Sequence, residues 1–430
     1  MNVAIVSRAV LPLHGLGGLE RHVYDLVRAL ADRDVGVTLI TPPPTRGDND
    51  AAAAAIHPRV RMEFVPYHTF PLAGRRGTTV LDRSTAYPLW GLRAGRRAFD
   101  LVRAGRADIV HGFGASVLGY ARRRGSATAP LVMNPQGLEE FGATDPSRAR
   151  LKVAAYLPLR RAVLRCARAA DAVIATDRSL EPVVLRHLGI PREKMHTIPN
   201  ALDLRPIDAG ADTTLQGNLR WGHDIQPGER VLLSVGRLEA SKGFHVLLRA
   251  LAAVRDHGSI DAKAWRWVSI GDGPYRPMLE MLAADLGLSS HVHFLGRLPD
   301  AEMHAWHEVS TLFVHPTLYE GSSLVTLEAM AHRRAVVASN AGGIPDKVRP
   351  GENGWLVMPG DASALAAAIS GALSDPARLA HYGLAGRRIV EREFSWASAG
   401  DATVALYRML LEVPPAGGSD RINNSGGHDR

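Results

Sequence analysis

Two glutamates, Glu320 and Glu328, stand on either side of a Gly-Ser-Ser-Leu run, and their surroundings say what such a pair could hold. The apolar run Leu312-Phe313-Val314 stops at His315-Pro316, and the chain turns through Leu318-Tyr319-Glu320-Gly321. Ser322-Ser323 can then cap a helix whose Leu324, Val325, Leu327 and Met330 recur at helical spacing. A strand that turns into a helix through Gly and Ser leaves backbone N–H groups free at the positive end of the helix dipole, which makes a seat for a phosphate. The spacing of the two acids corresponds to roughly 12 Å along a helix axis. That gap suits a ligand with a charged middle and polyol ends, as in the ribose, diphosphate and hexose of a nucleotide-sugar. Upstream, Arg237 follows another apolar run and Lys242 opens the next helix. In a partly desolvated cleft, each cation would gain about 4 kcal/mol against a phosphate charge at ~4 Å, before desolvation is counted. Taken singly, each feature is equally an amphipathic helix with solvated charges. The cations and Glu320 all follow strand-like runs, and that shared placement points to one anion site.

Such groups need a framework that sets strand ends side by side. The first half reads as strands at 2–7, 36–41, 60–67, 108–113, 130–137, 171–176 and 195–200, with helices after Gly18, at 89–104 and within 146–170. The second half reads as strands at 231–236, 265–271, 291–296, 311–315, 335–339 and 354–358, with helices at 241–257, 274–286, 322–331 and 361–373. Alternation of this kind predicts parallel sheets covered on both faces, with ligands beyond the carboxyl ends of the strands. The expected fold class is α/β, with two doubly wound Rossmann-like domains facing across a cleft. Residues 1–200 are expected to form the first domain, 201–228 a linker and irregular segment, and 229–394 the second domain. The helix over 395–412 comes late and is free to cross back to the first domain, while 413–430 has almost no apolar residues and is expected to be disordered.

With 430 residues and 46% apolar content, two globular domains are the natural division. The single cysteine, Cys166, excludes a disulfide framework within the chain and suits a reducing cytosol. The opening MNVAIVSRAV reads as a strand rather than a signal peptide, and no run is apolar and long enough to span a membrane. The net charge of +8 is uneven: residues 1–205 carry 30 Lys and Arg against 18 Asp and Glu, the remainder 21 against 25. The excess gathers at Arg75, Arg76, Arg93, Arg96, Arg97, Arg103, Arg106 and Arg122–Arg124. It is either a solvated surface or a docking face for an anionic partner such as a phospholipid surface. The cluster lacks the interleaved aromatics that stacking on bases favours, so no nucleic-acid partner is expected. The expected location is cytoplasmic, with peripheral docking on the inner face of the membrane permitted.

In order along the chain, Gly17-Gly18-x-Glu20-x-His22, IPNALD (198–203), GRLEASKG (236–243), GDGP (271–274), FLGRLP (294–299), EGSSLVTLEAM (320–330), GGIPD (342–346) and ENGWLV (352–357) resemble family 4 of the glycosyltransferases. The resemblance implies the GT-B fold and metal-independent, retaining transfer of a sugar from a nucleotide-diphosphate donor to an acceptor hydroxyl. No cofactor is implied beyond the nucleotide-sugar co-substrate. It implies that Arg237 and Lys242 hold the diphosphate, with the N–H groups of Ser322, Ser323 and Leu324 completing the cradle. Glu328 would accept from the ribose and Glu320 from the donor sugar, which makes Arg237, Lys242 and Glu320 the candidate catalytic groups. Gly17 and Gly18 would let the first domain's loop approach the sugar and phosphate, and Arg297 would border the base. The implied acceptor is a glycan or lipid-linked molecule of the kind used in polysaccharide and cell-envelope synthesis.

Two positions depart from the family. Gln136 stands where many relatives carry His and cannot transfer a proton, though it can hydrogen-bond. Ser322 replaces a common aromatic, which removes a packing group. His111, at the end of the preceding strand, is a candidate for the acceptor side. The triplets Asp32-Arg33-Asp34 and Asp48-Asn49-Asp50 match the pattern metal-dependent transferases use, but they fall on the far side of the first domain and read as turn residues. Three rival readings exist. A dinucleotide-dependent oxidoreductase is disfavoured because Glu20 replaces the third glycine and Thr41-Pro42 closes the second strand without an acid. The others are a nucleotide-sugar epimerase of the same fold and a basic nucleotide-binding protein.

Overall fold

A computed structural model describes residues 1–15, 17–44, 56–69, 79–126, 129–135, 138, 141, 154–210, 212–257 and 265–412. Asp48–Asp50, Arg75, Arg76, Gln136, the start of the 146–170 segment and the tail from 413 lie outside the described residues.

The expected α/β architecture is present as two parallel sheets. The first has strand order β3-β2-β1-β4-β5-β6-β7, running from Asn2–Val6 (β1), Gly36–Thr41 (β2), Arg61–Phe64 (β3) and Ile109–Phe113 (β4) to Leu131–Asn134 (β5), Ala172–Ala175 (β6) and Met195–Thr197 (β7). The second has order β10-β9-β8-β11-β12-β13, built from Arg230–Val235 (β8), Trp265–Ile270 (β9), Val292–Gly296 (β10), Leu312–His315 (β11), Val336–Ser339 (β12) and Gly354–Val357 (β13). Val3 to Val6 and Val231 to Leu233 are buried, because helices cover both faces of each sheet. Each sheet reverses direction of growth once, between β1 and β4 and between β8 and β11. A crevice opens at such a switch point, since the flanking connections leave on opposite faces.

The helix Gly18–Ala31 buries Val23, Leu26, Val27 and Leu30, a spacing that lays one stripe on the first sheet. The last helix, Trp396–Glu412, shares that core: Ala399, Val404, Leu406 and Tyr407 pack with residues of Gly18–Ala31 and β1. Arg33 pairs with Asp401 at 2.7 Å, fastening the helix to the first domain.

Three local expectations change. The helix expected from Leu89 begins at Thr79 and carries Pro88 inside it, where buried neighbours Tyr87 and Trp90 hold it in place. Residues 201–228, read as irregular, contain helices Arg205–Asp208 and Thr213–Gly222, and Leu219 and Ile225 join the second core. Helix Pro376–Glu393, absent from the sequence reading, covers the second sheet through Leu379, Tyr382, Ile389 and Val390.

Candidate active site

The second sheet's switch point holds the site. β8 ends at Val235, followed by Gly236 and Arg237, and a tight turn over Ala240–Lys242 presents Lys242 before helix Phe244–Asp256. β11 ends at His315, and the chain loops to helix Leu324–Ala331, whose first turn is capped by the Ser323 hydroxyl accepting from the Thr326 N–H. These two strand-to-helix turns lie beside one another because β8 and β11 are paired in the sheet.

Arg237, Lys242, Glu320, Ser322, Ser323, Leu324 and Glu328 all line one cleft of about 450 Å³, together with Gly17, Gly18 and Arg21 of the first domain. Arg237 is largely exposed and pairs with Glu239 at 2.8 Å. Lys242 donates to Glu320 at 2.8 Å, and His315 meets the same carboxylate oxygen at 2.9 Å. Burial alone would raise the Glu320 carboxyl, but the His315 hydrogen bond and the Lys242 charge outweigh it and bring the pKa down to about 2. Glu320 therefore stays ionised and fixed in place, an acceptor ready for hydroxyls. The linkage has a definite sign: the native value lies below the unfolded one, so the contribution is present above pH ~4.5 and lost as pH falls toward ~2. Glu320→Gln should accordingly be less stable than wild type at pH 6, with the deficit shrinking as pH drops through that window. Thermal unfolding between pH 6 and 3 checks this, and a deficit independent of pH would contradict it.

Glu328 is buried on helix Leu324–Ala331, and burial raises its pKa against the pull of Arg21. Arg21 reaches across from the first domain, 3.6 Å from Glu328 and 3.0 Å from Asp300. An adjoining cavity of about 780 Å³ shares Leu11, Arg21, Asp300 and Glu328 with the cleft and extends to His304. His304 is held there by a hydrogen bond to His332 at 2.9 Å, which in turn binds Glu308 at 2.7 Å.

Two expected site residues lie elsewhere. Arg297 is exposed at the end of β10 and does not line the cleft. His111 is 2% exposed, bonds the Tyr407 hydroxyl at 2.6 Å and stacks on Phe113, so it is a core residue beneath the last helix rather than an acceptor-side group. Burial lowers its pKa to about 3, which keeps it neutral. Gln136 lies outside the described residues. The triplet Asp32-Arg33-Asp34 ends the helix Gly18–Ala31: Asp32 meets His57 at 3.3 Å and Asp34 pairs with Arg59 at 2.6 Å.

Sequence reasoning missed Arg21 and Asp300, and gave His315 no role. Arg21 sits one residue past Glu20 in the glycine-loop motif, and His315 five before Glu320, so proximity to motifs was the available signal. It also missed a cluster past the carboxyl ends of β1 and β3. The Arg8 guanidinium lies 5.4 Å over the Tyr87 ring, and Tyr67 donates to Asp82 at 3.3 Å. Burial, helped by Asp82, pushes the Tyr67 hydroxyl up to about 12, against the pull of Arg8 and Arg83.

Two Rossmann-like domains, with a cation pair and a capped helix tip at the switch point of the second, define a GT-B glycosyltransferase. Family models agree over both halves: "Glycosyltransferase Family 4" matches residues 16–205 and "Glycosyl transferases group 1" matches 216–389. The chain is 30% identical over 421 aligned positions to D-inositol 3-phosphate glycosyltransferase 1 of Catenulispora acidiphila, covering 92% of this chain and 91% of that one. It is 31% identical over 268 positions to the GDP-mannose-dependent alpha-(1-6)-phosphatidylinositol monomannoside mannosyltransferase of Mycolicibacterium smegmatis, covering 60% and 68%. Sucrose-phosphate synthase of Thermosynechococcus elongatus shares the fold, with a TM-score of 0.72 at 23% identity over 95% of this chain and 99% of that one. The protein belongs to glycosyltransferase family 4.

Proposed function

We propose that this glycosyltransferase takes a sugar from a nucleotide-diphosphate donor and passes it to an acceptor hydroxyl with retention of anomeric configuration, without a metal ion. The observation that carries the reading is the convergence of Arg237, Lys242, the Ser322–Leu324 helix tip, Glu320 and Glu328 on one cleft with Gly17 and Gly18 opposite. The diphosphate rests on the two cations and the helix tip, Glu320 takes hydroxyls of the sugar, and ribose hydroxyls replace Arg21 at Glu328. As the bond from the anomeric carbon to the diphosphate oxygen breaks, the cations and amides take up the charge. The acceptor oxygen bonds to that carbon on the same face, and its proton passes to the departing phosphate oxygen. Neither a protein nucleophile nor a divalent ion enters this balance.

Arg8 and Arg83 beside Tyr67 and Tyr87 suit an acceptor carrying an anionic group, and the two relatives described above are named for inositol-based acceptors. A lipid-linked or cell-envelope glycan acceptor fits the basic first half of the chain. None of the described helices is long and apolar enough to cross a membrane, so lipid acceptors would be met by docking.

Thermal shifts with UDP, GDP and ADP test the donor site. One nucleotide should stabilise the wild type strongly and Glu328→Gln much less, because a charge-assisted bond to ribose is worth about 1.5–3 kcal/mol. Absence of any shift, or an equal shift in the variant, would remove the donor reading. Proton NMR of the product reports retention, and turnover should be unchanged by EDTA. Sedimentation with vesicles should show binding to anionic but not neutral lipid, weakening with salt; equal recovery on both would discard the membrane proposal.

A further inference from the structure

Asp177 and Lys347 come from different domains yet form a wholly buried ion pair, both side chains having no solvent exposure. Asp177 follows β6 and Lys347 follows the short turn Ile344–Asp346 after β12. The Lys347 ammonium uses all three of its N–H bonds: one to Asp177, one to the Ser322 hydroxyl at 3.2 Å and one to the Gly343 carbonyl at 3.1 Å. Ser322 lines the donor cleft. Ser179, two residues past Asp177, adds an O–H to the Gly342 carbonyl at 2.9 Å and an N–H to Asp346 at 3.2 Å.

Between these groups runs a wall one residue thick. Gly342 has φ +53°, and a Cβ there would stand 1.7 Å from the Glu320 carbonyl oxygen. A Cβ on Gly343 would stand 2.4 Å from the Asp177 carboxyl carbon, while the Gly343 N–H donates to the Gly321 carbonyl at 2.8 Å. The first domain thus presses Asp177 on one side of the two glycines, and the loop carrying Glu320 and Ser322 rests on the other.

We propose that the Asp177–Lys347 pair is a closure latch, a pair of positioning residues that set the Glu320–Ser323 loop for the donor sugar only while the two domains are together. A buried ammonium that loses its counter-ion is strongly disfavoured. When the domains part, Lys347 turns toward water and releases the Ser322 hydroxyl. When they meet, the pair re-forms, Lys347 holds Ser322, and Asp177 and Ser179 brace the glycine turn behind Glu320. Sugar positioning is thereby coupled to domain closure. The inference rests on the donor-site reading above.

The test uses the full chain with Lys347→Met, Asp177→Asn and Lys347→Arg. Binding of UDP, GDP and ADP is measured separately from turnover of the sugar donor carrying whichever nucleotide binds. Lys347→Met and Asp177→Asn should lower kcat/KM at least tenfold, while nucleoside diphosphate affinity, which loses the set of Ser322 but keeps Arg237, Lys242, Glu328 and the Ser323 and Leu324 amides, falls no more than about threefold. The double variant should be no worse than Lys347→Met, and Lys347→Arg should recover part of the loss. If Lys347→Met does not fold, Ser179→Ala, which removes one inter-domain hydrogen bond, should still lower kcat/KM about threefold with unchanged nucleotide affinity. Folded variants with wild-type kcat/KM, or with nucleotide affinity lost in step with turnover, overturn the latch. A wild type that binds none of UDP, GDP and ADP instead refutes the donor reading beneath it.

Discussion

Lys242→Ala should lower kcat/KM by roughly 10²–10³-fold, the loss expected when a preorganised group facing developing negative charge is removed at about 2.7–4 kcal/mol. Lys242 is the stronger test of the two cations, because it is only 22% exposed whereas Arg237 is 69% exposed and shares its charge with Glu239. Solvent weakens the more exposed charge. The substitution also removes the Lys242 hydrogen bond to Glu320 and keeps that of His315. Part of what holds that carboxyl low is then gone, so the acid limb of the pH–rate profile should move to higher pH. Steady-state kinetics across pH 2.5–9 would show both effects. Turnover within threefold of wild type, with an unmoved acid limb, would contradict a diphosphate role for Lys242.

Gly342→Ala is the second large effect. Its φ of +53° is one that side-chain-bearing residues adopt at a cost, and the added methyl would meet the backbone carbonyl of Glu320, which cannot rotate out of the way. Relief requires the Glu320–Ser323 loop to shift, so destabilisation on the order of 3 kcal/mol is expected, with a transfer rate down about a hundredfold. Nucleoside diphosphate binding should survive better than transfer, since Lys242 and Arg237 lie on the other strand-to-helix turn. Gly371→Ala is the control: it sits in helix Ala362–Leu373 with open space around it, and should be neutral or stabilising by up to about 1 kcal/mol. Urea unfolding and sugar transfer, measured on both variants, separate the collision from the general effect of adding a methyl. Equal behaviour of the two would show that the loop tolerates displacement.

Strand and helix periods are local properties, so β2 was legible to the residue and β8 to within one at each end. Errors fell where tertiary contact overrides local preference. The helix expected to start at Leu89 begins at Thr79 and runs through Pro88, with Tyr87 and Trp90 buried on either side. The irregular composition of 201–228 hid two short helices that gain stability by covering the second core rather than from their own propensity.

The cleft-lining Arg237, Lys242, Glu320 and Ser322 were readable because each closely follows the end of β8 or β11, and pairing of those two parallel strands sets their ends side by side. Side-chain pairings across the fold were not readable. His111 looks like a site residue from its strand-end position, but Tyr407, 296 residues away, docks on it and closes it into the core. Arg21 meets Asp300 across 279 residues, and Lys347 meets Asp177 across 170. The local pattern of residue types determined two doubly wound sheets and a cleft with Arg237 and Lys242 at the second switch point, because backbone hydrogen bonding and burial depend on near neighbours. Which charges face one another across the cleft was decided only when the domains packed, because a charge buried at an interface must find its partner wherever the chain has carried it.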